Sequence, residues 1–251
     1  MGTGLLQGRR AVVTGASRGL GRAIADRFAG EGAEVWIVDL PAALDPTQNA
    51  AGVLGVDLAD PGAETALAAL AARLETVDAV VANAGEVPPW RGVAALERAE
   101  WDRVFAVNVW GAAATLKAFA DALAASKRGA AVLMASVNGF RGHPDQILYT
   151  ATKHAVVGLT RAAALDLGRR GVRVNALAPG PVATEALHGR VRARHAAGGP
   201  PLEDALAAFA AQTALGRMAS AADVAAAAVV LASDLSAGVS GTVLPVACGP
   251  A

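Results

Sequence analysis

Short runs of β-branched and other apolar residues alternate with longer Ala- and Leu-rich segments along nearly the whole chain. This alternation is typical of βαβ units, in which successive strands run parallel and helices connect them. The short runs are apolar at nearly every position, as expected for strands that are buried on both faces. We therefore predict an α/β fold, a Rossmann-type doubly wound parallel sheet of about seven strands with helices on both faces.

The predicted elements follow from these runs and from the helical periodicity between them. Strands are expected at residues 11–14, 34–38, 53–56, 79–82, 130–135, 173–178 and 242–246, and helices at 21–30, 64–74, 100–126, 150–169, 202–211 and 221–233. Pro245 in the last strand predicts a sheet edge, because proline lacks the N–H that an inner strand must donate. No internal repeat or long linker divides the chain, so residues 1–251 are expected to form one domain.

Composition excludes several classes of function. Lys plus Arg and Asp plus Glu balance at 22 each, which argues against binding of nucleic acid or an anionic membrane. The longest apolar stretch, 224–232, is too short to span a bilayer, and no signal peptide is visible. The single cysteine, Cys248, cannot form an internal disulfide, and the four histidines lack metal-binding spacing. We expect a cytoplasmic protein without a metal.

A glycine-rich turn joins the first strand to the first helix. The segment Thr14-Gly15-Ala16-Ser17-Arg18-Gly19-Leu20-Gly21 would bring backbone N–H groups and a helix N-terminus to a pyrophosphate, with Gly15, Ser17, Arg18, Gly19, Leu20 and Gly21 around it. A glycine triplet alone is weak, because many βα turns are glycine-rich. Asp39 at the end of the second strand, eighteen residues after Gly21, is at the position from which an acid binds the adenosine ribose.

Asp39 also bears on the choice of cofactor. A carboxylate facing a 2′-phosphate costs on the order of 3 kcal/mol at ~5 Å, and Leu40 and Pro41 follow it instead of a basic residue. Arg18 acts in the opposite direction, since an arginine in the loop can bind that phosphate. The sequence favours NAD, with NADP as the alternative.

The only tyrosine, Tyr149, stands four positions before Lys153, and Ser136 lies thirteen residues upstream. On a helix, positions i and i+4 share one face. Moving a phenol pKa from ~10 to ~7 needs about 4 kcal/mol, and one positive charge about 5 Å away supplies about 3 kcal/mol at an effective dielectric near 20. Burial opposes the shift. A second positive charge is needed, and an oxidised nicotinamide ring would provide it.

Together these residues resemble the short-chain dehydrogenase/reductase family in its compact form of about 250 residues. The resemblance covers essentially the whole chain. It rests on the glycine segment, the acid after the second strand, Asn83-Ala84-Gly85, Asn108, Ser136 and the Tyr149/Lys153 pair, in the expected order.

The resemblance implies a role for each matching residue. Tyr149 would be the general acid/base, Lys153 would bind the nicotinamide ribose, and Ser136 would hydrogen-bond the reacting oxygen. Asn108 would be the fourth catalytic residue and keep a water that relays protons to Lys153. The remaining cofactor contacts would come from Asp57 and Leu58 at the adenine, from Asn83, Ala84 and Gly85 at the adenine ribose, and from Pro179, Gly180, Val182 and Thr184 at the carboxamide.

Single residues of this set also have ordinary structural explanations. Ser136 and Asn138 are also ordinary turn formers, and Lys153 alone would most often be solvated. Asn108 is a poor helix former, so its place in a predicted helix indicates a bend or a functional need. The chain also departs from the family pattern: Ala82 replaces an asparagine, and the C-terminal acid and paired glycines are absent.

The resemblance also identifies residues 185–214 as a substrate lid, longer than in compact members. Four basic residues there would either meet an anionic substrate or form a solvated helix face, and they are Arg190, Arg192, Arg194 and His195. Candidates for the substrate pocket are Trp90, Asn138, His143 and Gln146. A Ser136–His143 pair for hydrolysis is disfavoured, because no G-x-S-x-G segment surrounds the serine.

The expected activity is hydride transfer between NAD and a secondary alcohol or ketone. An NADP-dependent carbonyl or acyl-thioester ketoreductase is the alternative, and a non-catalytic dinucleotide sensor would need a defect in the Tyr–Lys–Ser set that is not visible. Family members commonly assemble through two long helices, which match 100–126 and 150–169 here. We therefore expect a homotetramer that takes a small alcohol or ketone as its substrate.

Overall fold

Seven parallel strands form one sheet in the order β3-β2-β1-β4-β5-β6-β7 in the computed structural model, which describes residues 4–45 and 50–249. The strands are β1 Arg10–Thr14, β2 Glu34–Asp39, β3 Gly52–Gly55, β4 Ala79–Ala82, β5 Ala130–Met134, β6 Arg173–Pro179 and β7 Val243–Val246. The chain moves outward from β1 to β3 and then returns to place β4 on the other side of β1. A crevice therefore opens between the carboxyl ends of β1 and β4.

Helices connect the strands. They are α1 Gly19–Gly30, α2 Ala63–Leu74, α3 Arg98–Phe105, α4 Gly111–Ala125, α5 Ile147–Gly168, α6 Glu185–Ala196, α7 Leu202–Ala211 and α8 Ala221–Ala232. A π-helical turn, Ala106–Trp110, joins α3 to α4. No helix among the described residues combines the length and apolar character that crossing a bilayer requires.

Alternate side chains of each strand pack on opposite faces of the sheet, because the side-chain period of a strand is two residues. Val12 of β1 packs toward α2, α4 and α5, where Phe119 is fully buried. Its neighbours Ala11 and Val13 pack toward α1 and α8, where Phe28 is fully buried. The doubly wound architecture expected from the sequence is confirmed.

The predicted strands agree with the observed ones to within one residue at either end. The buried apolar runs were informative because every strand except the two at the sheet edges lies between neighbours and under helices on both faces. β7 pairs only with β6, so Pro245 does lie in an edge strand.

Two helix predictions were wrong. The single helix expected over 100–126 is interrupted by the π turn that contains Asn108. No helix was predicted before α7, but the structure contains α6 there, whose apolar pattern is weak because only Leu187 and Val191 are buried. Thr184 starts this helix, since its Oγ1 accepts a hydrogen bond from the Leu187 N–H at 3.3 Å.

Helix α5 begins at Ile147, three residues earlier than predicted. Tyr149 therefore lies inside the helix, one turn before Lys153. The two side chains project from the same face at the carboxyl edge of the sheet.

Candidate active site

The predicted site residues follow the carboxyl ends of the strands, where the crevice opens. The glycine turn follows β1, Asp39 ends β2, Asn83 follows β4, Ser136 follows β5 and Gly180 follows β6. Tyr149 and Lys153 reach the same region from α5. Parallel strands present their carboxyl ends on one edge, so residues distant in sequence meet there.

The glycine turn has a backbone conformation that favours glycine. Gly15 and Gly19 have φ values of 65° and 60°, in the left-handed region. A Cβ on Gly21 would lie 2.1 Å from the Gly15 carbonyl oxygen, so the turn packs directly against the first helical residues. Arg18 precedes α1 in an extended conformation, and no side chain caps the helix. Its first N–H groups remain free to bind an anion.

Asn83 connects β1 to β4 beneath this turn. Its Nδ2 donates to the carbonyls of Thr14 at 3.0 Å and Gly15 at 2.9 Å. In return, the Thr14 hydroxyl accepts hydrogen bonds from the N–H groups of Asn83 and Ala84, both at 3.0 Å. These four bonds hold the two strand ends in one geometry, so Asn83 is a structural support of the turn.

Asp39 lies beside the glycine turn. Its two carboxylate oxygens accept hydrogen bonds from the Ser17 N–H at 2.7 Å and the Leu40 N–H at 2.8 Å. The carboxylate is thus directed back toward the loop between β1 and α1. The side chain is partly exposed at this edge.

Asp57 has protein partners for both of its oxygens. The Ala59 N–H donates to one at 3.0 Å, and Arg103 of α3 donates to the other at 3.0 Å. Arg103 also contacts Glu86 at 3.3 Å. The following residue, Leu58, is buried against Gly111 at the start of α4. The ion pair between Asp57 and Arg103 was not expected from the sequence.

Asn108 sits in the π turn with its side chain buried. Its Oδ1 accepts from the Glu86 N–H at 2.7 Å, and its Nδ2 donates to the Glu86 carbonyl at 2.9 Å and to the Thr152 hydroxyl at 3.2 Å. The amide therefore connects the segment after β4 to α5, between Tyr149 and Lys153. A π turn often marks a functional site because it realigns backbone groups.

Lys153 is almost completely buried, and its Nζ donates to the Met134 carbonyl at 2.8 Å. The ammonium lies 5.5 Å from the centroid of the Tyr149 ring. Burial lowers the pKa of Lys153 to about 8, because a charged group loses hydration there. The helical spacing therefore does bring these two side chains together.

The Tyr149 phenol has a raised pKa, and burial is the dominant cause. The Ser136 hydroxyl and the positive charge of Arg190 both act to lower the pKa, without overcoming burial. The sequence argument expected Lys153 to supply the main lowering effect. Instead, burial outweighs the groups of the protein that lower the pKa of this phenol.

Ser136 lies at the end of β5, next to the site. Its Oγ accepts from the Asn138 N–H at 3.2 Å and contacts the Pro179 carbonyl at 3.5 Å. Asn138 is buried and donates to the Gln146 side chain at 2.8 Å, which ties the segment after β5 to the start of α5. His143 instead contacts the carbonyl of the adjacent Pro144.

The loop after β6 forms the remaining wall. The Gly180 N–H donates to the Val246 carbonyl at 3.1 Å, and a Cβ on Gly180 would lie 2.9 Å from the Ala247 side chain. Val182 is buried, and Thr184 begins α6. Pro179, Gly180, Val182 and Thr184 thus form a continuous path from the sheet edge to the lid.

The lid of residues 185–214 consists of α6, α7 and their connections. Leu187, Val191 and Ala205 form its small core, against which Trp90 packs. The basic residues of α6 have different partners. Arg192 pairs with Glu185 at 2.9 Å, and the His195 ring contacts the Gly199 carbonyl at 2.9 Å. Arg194 lies over the Trp90 ring, and the positive charge of Arg190 acts on the Tyr149 phenol.

Sequence reasoning missed several groups at the site. Thr14 supports the glycine turn, and Thr152 bonds to both Asn108 and the Tyr149 carbonyl. A hydroxyl directly before a glycine turn and one between Tyr149 and Lys153 were visible signals. No sequence signal pointed to Met134, because it acts through its backbone carbonyl. None pointed to Arg103 either, because its partner Asp57 is 46 positions away.

Among residues 4–45 and 50–249, no three His, Cys, Asp or Glu side chains gather where they could hold a metal ion. The parallel sheet, its crevice and the uncapped helix after the glycine turn are those of a Rossmann-type dinucleotide-binding protein. The donors and the close backbone approach at Gly15 fit a pyrophosphate, and Asp39 fits a ribose.

Comparison with known proteins identifies the family. A family model described as enoyl-(acyl carrier protein) reductase matches residues 15–250. Dehydrogenase/reductase SDR family member 6 of Rattus norvegicus is 36% identical over 241 residues, which cover 95% of this chain and 96% of that protein. The chain belongs to the short-chain dehydrogenase/reductase family, a family of oxidoreductases, and the resemblance seen in the sequence is confirmed.

Solved structures support the same conclusion. Carveol dehydrogenase from Mycobacterium avium in complex with NAD has a TM-score of 0.89 and 31% identity, covering 98% of this chain and 99% of that chain. A provisionally assigned NAD(P)-dependent gluconate 5-dehydrogenase from Beutenbergia cavernae, with NADP at low occupancy, has a TM-score of 0.86 and 37% identity. The coverage is 97% of this chain and 96% of that one.

The lowered pKa of Lys153 predicts a pH-dependent stability. Its pKa is about 8 in the folded protein against an ordinary value of 10.5, so between these values the unfolded chain binds more protons and stability rises with pH. From pH 7.5 to 9.5, without added nucleotide, the free energy of unfolding should rise by about 2 kcal/mol. Urea denaturation at several pH values measures this change.

The Lys153→Met variant should remove this rise, whereas Lys117→Met should retain it because Lys117 is exposed and pairs with Glu64. The raised pKa of Tyr149 affects stability only above its ordinary value of 10.0, outside most of this window. A wild-type profile that is flat between pH 7.5 and 9.5 would contradict the buried-ammonium account.

Proposed function

We propose that the protein transfers hydride between NAD and a secondary alcohol or ketone, with Tyr149 as the general acid/base. The observation that carries this proposal is the meeting of Tyr149, Lys153 and Ser136 at the carboxyl edge of the sheet, next to an uncapped helix N-terminus. This arrangement combines a proton-transfer group, a cation and a hydroxyl donor beside a dinucleotide cradle.

In the proposed mechanism each residue has a distinct task. The Ser136 hydroxyl donates to the reacting oxygen and holds its carbon in position. During alcohol oxidation the Tyr149 phenolate removes the hydroxyl proton, and during ketone reduction the phenol returns it. Lys153 would hold the ribose hydroxyls of the cofactor, and its charge favours the phenolate. Asn108 positions α5 through its hydrogen bond to Thr152. It would also keep the water that relays protons to Lys153.

When bound, the nicotinamide cofactor supplies the hydride acceptor and a positive ring. The glycine turn, Asp39 and the loop of Pro179, Gly180, Val182 and Thr184 would hold it. The raised pKa of Tyr149 is consistent with this design, because the phenol becomes a good base only beside an additional positive charge.

We further propose NAD as the preferred cofactor. Asp39 directs a carboxylate to the loop where the adenosine ribose would lie, and repulsion of a 2′-phosphate there is worth about 3 kcal/mol at ~5 Å. The exposed Arg18 is the residue that would offset this repulsion. Asp57 would contact the adenine while it remains paired with Arg103.

Tyr149→Phe tests the catalytic assignment. Removing the phenolic oxygen should lower kcat by about 10³-fold, the range expected for a lost general acid/base. Turnover is followed by nicotinamide absorbance over a panel of secondary alcohols and ketones. NADH fluorescence titration is the folding control, since the variant should bind NADH as tightly as the wild type. Full turnover in the variant would overturn the assignment of Tyr149.

Cofactor preference is tested by titrating the protein with NADH and NADPH. We expect NADH to bind 10- to 100-fold more tightly, and Asp39→Asn to reduce this ratio by improving NADPH binding, because the repulsive charge is removed. Arg18→Gln tests the alternative that NADP is the cofactor. If NADPH binds more tightly to the wild type and Arg18→Gln abolishes that preference, the cofactor is NADP.

We also propose that the protein assembles as a homotetramer through the face made by α3, the π turn and α5. A groove of about 410 Å³ on this face is lined mainly by apolar residues, which include Trp101, Phe105, Val109, Trp110 and Leu159. Trp110 is 51% exposed, and Trp101 stacks on Phe105 with their centroids 4.8 Å apart. A stacked pair of aromatics and an exposed third one on the same face favour burial against a second copy.

Light scattering of the wild type should give four times the chain mass of 25.0 kDa. Trp110→Glu should reduce the mass, because it places a charge in the apolar contact. Val53→Glu is the matched control, since Val53 is an exposed apolar residue on the edge strand β3. A monomeric wild type, or a Trp110→Glu variant of unchanged mass, would contradict this assembly.

A further inference from the structure

Two arginines of α6, Arg190 and Arg194, lie beside the buried face of that helix. Leu187 and Val191 are buried in the lid core with Ala205. Arg190 precedes Val191 directly, and Arg194 follows one helical turn later, so both lie on the same border of the buried face. The Arg194 guanidinium stands 4.9 Å from the centroid of the Trp90 ring, which fixes this border against the segment after β4.

The Trp90 segment is itself attached to the start of α5. The Arg91 N–H donates to the Asp145 carbonyl at 2.6 Å, and Arg91 forms a parallel bridge with Gln146. Tyr149 lies three residues after Gln146 in the same helix. A continuous path therefore runs from Arg194 through Trp90, Arg91 and Gln146 to Tyr149, and the positive charge of Arg190 acts on that tyrosine.

Two donors in this region lack protein partners. Arg190 is partly buried and makes no hydrogen bond or ion pair with any residue in 4–45 or 50–249. The indole Nε1 of Trp90 is buried and has no acceptor within the same ranges. A buried guanidinium loses hydration, and burial lowers the pKa of Arg190. Such a cation is stabilised by an anion that enters the site.

The acidic side chains around the lid are directed elsewhere. Glu185 pairs with Arg192 on the outer side of α6, and Glu97 and Glu100 pair with Arg91. Asp145 is exposed, with its carboxylate near Gly92. No carboxylate of the described chain neutralises Arg190, so the positive charge next to Tyr149 is available to a ligand.

We infer that the substrate is an anion, a short hydroxy acid or the corresponding oxo acid, whose carboxylate binds Arg190 with the Trp90 indole N–H as a second donor. The inference rests on the proposed function, since the carbinol or carbonyl oxygen of the same molecule is held by Ser136 and Tyr149. The positive charge of Arg190 acts on Tyr149, and we place the carboxylate and the reacting oxygen of one small molecule at these two residues. It therefore determines specificity, and the neutral alcohols of the panel are poorer substrates.

The test compares each acid with its neutral isostere in the full-length protein with NAD. Lactate and 3-hydroxybutyrate are paired with their methyl esters, and kcat and KM are measured from NADH absorbance. The wild type should prefer at least one acid over its ester by tenfold or more in kcat/KM. Arg190→Gln should lower kcat/KM at least tenfold more for that acid than for its ester, mainly through KM, because the effect of Arg190 on the Tyr149 phenol is common to both substrates.

Two variants on α6 serve as controls. Arg192→Gln should leave both substrates unchanged, because Arg192 is exposed and pairs with Glu185. Arg190→Lys keeps the charge without the planar fork and should retain part of the preference for the acid. The NADH dissociation constant should stay within twofold in every variant, which separates substrate binding from binding of the cofactor's own phosphates.

A binding measurement makes the inference independent of turnover. The protein–NADH complex is titrated by fluorescence with isobutyrate and with the neutral isobutyramide. Isobutyrate should bind more tightly to the wild type, and Arg190→Gln should remove the difference. Equal binding of the two probes, or equal loss of acid and ester activity in Arg190→Gln, would overturn the inference and leave Arg190 acting only on the phenol.

The same experiments separate the two proposals. Turnover of neutral alcohols that depends on Tyr149, without any preference for acids, would refute the anion site and retain the proposed function. Absence of turnover with every substrate, together with isobutyrate binding that depends on Arg190, would refute the proposed function and retain the anion site.

Discussion

The hydrogen bond from the Lys153 ammonium to the Met134 carbonyl is the contact on which the site depends. It connects α5 to the end of β5, where the strand presents a carbonyl that has no further strand residue to pair with. Ser136 lies two residues after Met134, and Tyr149 one helical turn before Lys153. This buried contact therefore determines the relative positions of Ser136, Tyr149 and Lys153. The buried ammonium requires the Met134 carbonyl as an acceptor, because an unpaired buried charge is costly.

Burial explains why the isolated site is a poor base. Desolvation raises the pKa of Tyr149 and lowers that of Lys153 to about 8, so Lys153 keeps its charge near neutral pH but does not by itself make the phenol acidic. Two further positive charges lie outside α5: the cofactor ring in the proposed mechanism, and Arg190 of the lid. Chemistry is therefore coupled to binding, because each bound partner changes the field at the phenol.

Much of the fold was predictable, because its local signals agree with its tertiary arrangement. The strands were recognisable as apolar runs, and the edge position of β7 followed from Pro245. Asn108 indicated an irregularity in a helix, although not the π turn that accommodates it. Helix α6 was not predicted because its apolar face consists of only two residues. The helix is stabilised by packing against α7 and Trp90.

The sequence by itself determined the alternation of strands and helices, the glycine turn and the Tyr149/Lys153 spacing, because each depends on residues close together in the chain. Only the tertiary structure decided which charges meet. Asp57 and Arg103, Lys153 and Met134, and Arg190 and Tyr149 are brought together by the sheet order and by the rotation of helices. Burial, which sets the pKa values of these groups, is a property of the packed molecule and of no single segment.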